Sequence, residues 1–373
     1  MGWHKKGYFN FGGQGPLSQQ TLNAIVQGYE QIQDWGPFGT SVNAWLQQER
    51  AKTRQTIAEE VGTASETITL TENVTVGCNI ALWGLPWQTG DHILLTDCEH
   101  PGIIAAVQEI AHRCGVTYST CPIRETLNEG DPTTVIQQHL QNNTKLAVLS
   151  HLLWNTGQVL PLKAITRVCH QYNVKVLVDA AQSVGSLPLD LPDTEVDFYA
   201  FTGHKWLCGP AGVGGLYISP ETFEAIRPTF IGWRGLNLNE QGKPISYKDT
   251  GERFEIATSA YPQYMGLTSA IAQHQQWGIA AERYRKICEL SGMLWERLCS
   301  LKGLTCLRTS PPEAGLVSFQ LENMAHKPFV KDLEKEGFLL RTLADPDCIR
   351  ACVHYFTTLE EIEALVKTIK EKL

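Results

Sequence analysis

The run DFYAFTGHKWLCGPAGVGG, residues 197–215, decides how this chain is read. Residues 197–201 have the texture of a buried strand and Thr202-Gly203 breaks that period, so Lys205 stands where a strand becomes a loop. Its apolar neighbours Tyr199, Phe201, Trp206 and Leu207 would strip water from an ammonium. Desolvation lowers a lysine pKa toward the neutral amine, which attacks carbonyls and forms Schiff bases. The bland alternative, the less favoured one, is that the same lysine caps the strand and snorkels to solvent.

Upstream of this run, strand, turn and helix alternate. Strands are expected at 67–71, 92–97, 116–122, 146–152 and 174–179, with helices at 74–83, 102–113, 132–141 and 164–172 between them. Near-continuous apolar runs such as LAVLSHLL (146–153) and VKVLVDAA (174–181) belong to a parallel sheet covered by helices on both faces. The fold class is therefore α/β, a mostly parallel doubly wound sheet. Two more helical patterns, 21–35 and 42–61, precede it. After Pro262 the texture changes to two longer helical patterns, short strands and a charged amphipathic helix at 358–372. We expect a large domain over 19–262 and a small α+β domain made of 1–18 and 263–373.

The 373 residues are 43% hydrophobic with a net charge of -8, and no Lys/Arg run exceeds Lys5-Lys6, which argues against a nucleic-acid partner. Eleven cysteines are scattered without a CxxC pair, as expected of reduced thiols, and no metal site is expected. MGWHKKGYFN lacks the apolar core of a signal peptide, Lys6 stands where a myristoylation motif needs Ser or Thr, and no apolar segment reaches membrane-span length. A cytoplasmic location with no membrane partner is the expectation.

In an open α/β sheet the ligand sits outside the carboxyl ends of the strands, and the residues there are polar. The strand at 67–71 runs into Glu72-Asn73-Val74-Thr75, whose free amides and helix dipole make an anion site. The next strands end near His100, at Trp154-Asn155-Thr156-Gly157, at Asp179-Ala180-Ala181-Gln182 and at Thr202-Gly203-His204-Lys205. Singly, Thr75 reads as a cap, His100 as a loop histidine, Asn155 as a turn residue and Asp179 as a helix cap. Together they supply what pyridoxal phosphate needs: an amine for the aldehyde, a carboxylate for the ring nitrogen, a flat group for the ring and donors for the phosphate. No GxGxxG follows the first sheet strand and no P-loop is present, so nucleotide readings fail.

At DAAQSVG and DFYAFTGHKWLCGPAGVGG the chain resembles the class V aminotransferase and cysteine desulfurase family of fold-type I pyridoxal-phosphate enzymes. The resemblance implies Lys205 as Schiff-base lysine and Asp179 as partner of the ring nitrogen, with His100 stacked on the ring. It implies Val74, Thr75, Gln182, Thr202, His204 and Thr258 as further cofactor contacts, Thr258 reaching a neighbouring subunit's phosphate, and hence a homodimer with shared active sites. Asn155 and Arg350 are implied as holders of the substrate carboxylate, and Arg341, Arg234, Trp233 and Gly13 as further substrate contacts. SHLLWNTGQVLPL, FTGHKW, GWR, ATSAYPQY and RTLADPDCIRACVHY resemble most the cystine C-S lyases within the family. That likeness implies α,β-elimination of cystine or cysteine to cysteine persulfide, pyruvate and ammonia, with an iron-sulfur acceptor protein as partner. A cysteine desulfurase, releasing alanine, and a class V aminotransferase are the alternatives, and a non-catalytic cofactor-binding protein is a third. Desulfurases carry a nucleophilic cysteine on a long loop, whereas here only eight residues separate Arg341 from Arg350, so Cys348 is expected to be a buried thiol.

Overall fold

A computed structural model describes residues 6–373; residues 1–5, on which the absence of a leader or lipid signal is read, lie outside the described residues. β1 (Gly7–Tyr8) leads through a glycine-rich loop to α1 (Gln19–Asp34) and α2 (Thr40–Glu60). The alternating run follows as β2 (Ile68–Thr71), α3 (Val74–Gly84), β3 (His92–Thr96), α4 (Pro101–Cys114), β4 (Thr117–Cys121), α5 (Pro132–His139) and β5 (Thr144–Ser150). It continues through α6 (Leu162–Gln171), β6 (Lys175–Asp179), the short α7 (Leu191–Thr194), β7 (Phe198–Thr202) and β8 (Gly214–Ile218). After a hairpin of β9 (Leu236–Leu238) and β10 (Pro244–Tyr247) come α8 (Tyr261–Trp277), α9 (Ala280–Cys299), β11 (Leu304–Cys306), β12 (Leu316–Leu321) and α10 (His326–Lys335). β13 (Phe338–Leu339), β14 (Arg341–Ala344), β15 (Asp347–Cys352) and α11 (Leu359–Lys372) finish the chain.

Seven strands form the main sheet in the order β2-β8-β7-β6-β5-β3-β4. Only β8 runs against its neighbours, so the sheet is mostly parallel as expected and the other strands bring their carboxyl ends toward one edge. Alternation along the strands sorts side chains between two cores: Leu177 and Phe198 face one, Val178 and Tyr199 the other. β3 and β7 are buried on both faces, whereas β4 at the rim is largely exposed. α8 adds Tyr264, Leu267 and Ile271 to the core that contains Tyr199. A second, antiparallel sheet, β11-β12-β15-β14, has its own core closed by α9, α10 and α11.

The apolar periodicity does not announce α10. Its anchors, Phe329 and Leu333, are only one turn apart, and Pro328 reads as a breaker. Pro328 lies in the first turn, where a missing N–H costs nothing.

A buried ion network holds β2 to α2. Arg50 and Arg54 meet Glu252 and Glu255, and Glu255 also accepts the Leu70 N–H at 3.1 Å. Removing one partner strands the others without water, so Glu255→Ala is expected to lower the unfolding free energy by about 3–5 kcal/mol, measured by urea denaturation. Among the described residues no helix is long and apolar enough to cross a membrane.

Candidate active site

The polar residues at the sheet's carboxyl edge line one cavity of about 620 Å³. β7 ends at Thr202, and Lys205 follows three residues later, partly buried on the cavity wall. Burial lowers its ammonium to about 8; Asp179 opposes that shift, while the Arg350 and Arg341 guanidiniums reinforce it. Gly15 runs so close beneath this turn that a Cβ there would lie 2.1 Å from the Lys205 carbonyl, so the glycine-rich N-terminal loop is packed directly under the lysine.

Asp179, the last residue of β6, is 5% exposed. Burial raises its carboxyl above the ordinary carboxylate range, against the pull of the Ala181 N–H, Lys205 and His100. Oδ1 accepts the Ala181 N–H at 2.9 Å, which leaves Oδ2 for a ligand. A proton-bearing ring nitrogen is the partner that would offset the cost of this buried anion.

The phosphate corner follows from local chain chemistry. Asn73 caps α3 by accepting the Val76 N–H at 3.0 Å, and the first-turn residues Val74 and Thr75 line the cavity with the helix N-terminus behind them. His204 lines it too, its Nδ1 engaged by the Thr202 hydroxyl at 2.6 Å, while Thr202 itself stays beneath. His100 precedes α4, and its Nδ1 accepts the Gly102 N–H at 3.1 Å. In the neutral ring favoured by burial, Nε2 therefore carries the proton. Trp154, to which the sequence pattern assigns no role in the site, lines the cavity with its ring 5.9 Å from that of His100 and its Nε1 donating to the Cys98 carbonyl.

On the opposite wall stand Arg341 and Arg350, cross-strand partners on β14 and β15. Arg350 is 1% exposed; Nη1 donates to the Trp154 carbonyl at 2.7 Å, but Nε and Nη2 have no partner. Two orphaned donors on a buried guanidinium suit the two oxygens of a carboxylate. Gly12 closes this end: a Cβ there would meet Gln182 Oε1 at 2.8 Å and Arg350 Nη2 at 3.1 Å. Gln182 donates to the Gly12 carbonyl and accepts the Trp206 Nε1–H, keeping one N–H in reserve. Amine, buried acid, helix N-terminus and orphaned guanidinium in one cavity fit pyridoxal phosphate with an amino-acid substrate.

The remaining residues expected at the site lie elsewhere. Asn155 is buried behind the wall, its side chain engaged with the Asp345 carbonyl and the Thr156 N–H. Gly12, not Gly13, lines the cavity, because Gly13 turns toward the Asn10 side chain. Thr258, expected to reach a neighbouring subunit's phosphate, and Trp233 are exposed and away from this chain's own cavity. Arg234 is buried against the Ala257 carbonyl and the Tyr261 hydroxyl rather than in the cavity. Cys348 has no exposed surface, as expected, and burial pushes its thiol up to about 12. Cys352, near Gly12, is equally enclosed.

A family model described as aminotransferase class-V matches residues 8–365. The chain is similar to the solved structure of the cystine C-S lyase C-DES in complex with its reaction product cysteine persulfide, with a TM-score of 0.97 and 53% identity, covering 99% of this chain and 98% of that one. The same score and identity hold for a lysine-to-alanine mutant of C-DES with glycine covalently linked to its PLP cofactor, over 99% of this chain and 97% of that one. A probable cysteine desulfurase of Mycolicibacterium paratuberculosis is 28% identical over 341 residues, 85% of this chain; the match spans about half of that relative, 48% of its length.

Proposed function

The chain belongs to the aminotransferase class-V family, and from that premise we propose that it is a pyridoxal-phosphate-dependent carbon-sulfur lyase acting on cystine. Pyridoxal phosphate, when bound, supplies an aldehyde for the substrate amine and a ring that draws off the electron pair left at Cα. Val74, Thr75 and His204 would hold its phosphate, Asp179 the proton on its ring nitrogen, and His100 one ring face. Arg350 takes the carboxylate of the reacting half of cystine through Nε and Nη2. Lys205 Nζ accepts the Cα proton as general base. The Cβ–S bond breaks with its electron pair leaving on sulfur, and water completes the balance: cystine and water give cysteine persulfide, pyruvate and ammonia. Arg341 stands within reach of the second carboxylate on the same wall.

The observation that favours a lyase over a desulfurase is the short stretch between the two arginines. β14 and β15 pair from Arg341↔Arg350 to Ala344↔Asp347, and Cys348 is held inside β15. A thiol so buried is not a sulfur acceptor. A persulfide leaves more readily than a thiolate, so cystine needs no enzymic cysteine.

The test is product analysis. With cystine, the pure protein loaded with pyridoxal phosphate is expected to release pyruvate and persulfide, and Cys348→Ala to keep at least about half of that rate. Alanine as the product, or activity lost in Cys348→Ala, would overturn elimination.

Three further readings belong to this proposal. The expected division at 262 into a cofactor-holding unit and a unit that brings the arginines is moved past α8, whose Tyr264, Leu267 and Ile271 pack in the main sheet's core. The protein acts as a homodimer with shared sites, a reading supported by the exposed apolar side chains Phe230, Ile231, Trp233, Ile245 and Ile256 and by the exposure of Thr258. Its persulfide is delivered to an iron-sulfur acceptor in the cytoplasm, where its eleven free thiols stay reduced.

A further inference from the structure

The Glu99 carboxyl is 4% exposed, in the turn between β3 and α4, one residue before His100. Its Oε1 accepts the Ser150 backbone N–H at 2.9 Å and meets the Thr96 hydroxyl at 2.5 Å; its Oε2 meets the Ser150 hydroxyl at 3.0 Å. Ser150 is the last residue of β5, lines the cavity and is in register with Asp179 on β6. One side chain thus ties the tip of β3 to the tip of β5, next to the buried acid of the third strand.

We propose that Glu99 is a positioning residue that clamps the His100 turn to β5 beside Asp179. The proposal rests on reading the cavity as a pyridoxal-phosphate site. Glu99 answers every group around it: Oε1 accepts the Ser150 N–H and the Thr96 O–H, and Oε2 accepts the Ser150 hydroxyl. Its surroundings agree. Burial pushes the carboxyl up to about 8, the Thr96 and Ser150 bonds opposing and the Asp179 charge adding to the rise. Other titratable groups around it include Asp97 and His100 in the same turn and the thiols of Cys78 on α3, Cys98 in that turn and Cys121 on β4, the thiols all pushed up by burial and by carboxyls.

The apoproteins of wild type, Glu99→Gln and Glu99→Ala should be titrated with pyridoxal phosphate by absorbance, and the loaded proteins scanned from pH 6 to 9. The amide of Glu99→Gln keeps an oxygen for the Ser150 N–H and the Thr96 O–H and can donate to a turned Ser150 hydroxyl, so its Kd is expected within about twofold of wild type, whereas Glu99→Ala, with an unchanged circular dichroism spectrum, raises Kd at least about tenfold. The wild-type cofactor spectrum is expected to step near pH 8 and that of Glu99→Gln to lack the step. Equal Kd for wild type and Glu99→Ala, a Gln variant as weak as the Ala variant, or a step that persists in Glu99→Gln overturns the proposal. Should Glu99→Ala fail to fold, Ser150→Ala decides: losing the hydroxyl that donates to Glu99 moves the step to higher pH, and an unmoved or lowered step is the contrary result. A wild-type apoprotein that takes up no pyridoxal phosphate would overturn both this role and the function above.

Discussion

Lys205→Met is expected to cut pyruvate formation from cystine by at least about 10³-fold, since it removes both the nucleophilic amine and the general base. Borohydride should then no longer fix pyridoxal phosphate to the chain, a change visible in the intact mass. The same variant carries a stability signature of opposite sign. The folded protein lowers the Lys205 ammonium to about 8 from 10.5, so below pH 8 the native state carries a charge it would sooner shed. That shift corresponds to roughly 3 kcal/mol, and water in the open cavity reduces it to on the order of 1–2 kcal/mol. The apoprotein of Lys205→Met should therefore be more stable than wild type at pH 7. The gain is full below pH 8 and fades between 8 and 10.5, as the unfolded lysine also becomes neutral. Urea titrations at pH 7 and pH 10 read it directly; a gain that grows with pH would show that the cavity does not desolvate this amine.

Lys205, Asp179 and the α3 amides were legible from residue order because each is placed by backbone geometry alone. A parallel strand must end at the ligand edge, and a capped helix must present its first amides there. Residues whose roles depend on where a side chain turns were not. Asn155 leaves the same edge as Trp154, yet Thr156 and Asp345 claim its amide, and the indole takes the wall instead. Gly12 and Gly13 are indistinguishable in composition; only the approach of Gln182 and Arg350 separates them. Glu99 gave no signal at all, since nothing in DCEH says that its carboxyl crosses to β5. Thr258 and Trp233 sit on the surface of this chain, and the roles proposed for them need a second subunit, which residue order does not position.

Arg350→Met provides the second large effect and separates the two arginines. A carboxylate facing Nε and Nη2 gains two charge-assisted hydrogen bonds, and truncating one member of such a buried pair costs about 2–5 kcal/mol. We expect kcat/KM for cystine to fall by about 10²–10³-fold, chiefly through KM, because the carboxylate is bound alike before and during proton removal. Arg350→Lys should recover only part of this, a point charge being unable to present two parallel N–H groups. Arg341→Met should cost less, because Arg341 is exposed and its carboxylate would remain within reach of water. Arg350 also acts on the lysine: its charge is among the causes that hold the Lys205 ammonium down. Capture of pyridoxal phosphate by the apoprotein, which needs the neutral amine, should therefore shift to higher pH in Arg350→Met. An unshifted capture profile together with a normal KM would place the guanidinium outside the site, and the substrate carboxylate would then have to be sought at Arg341.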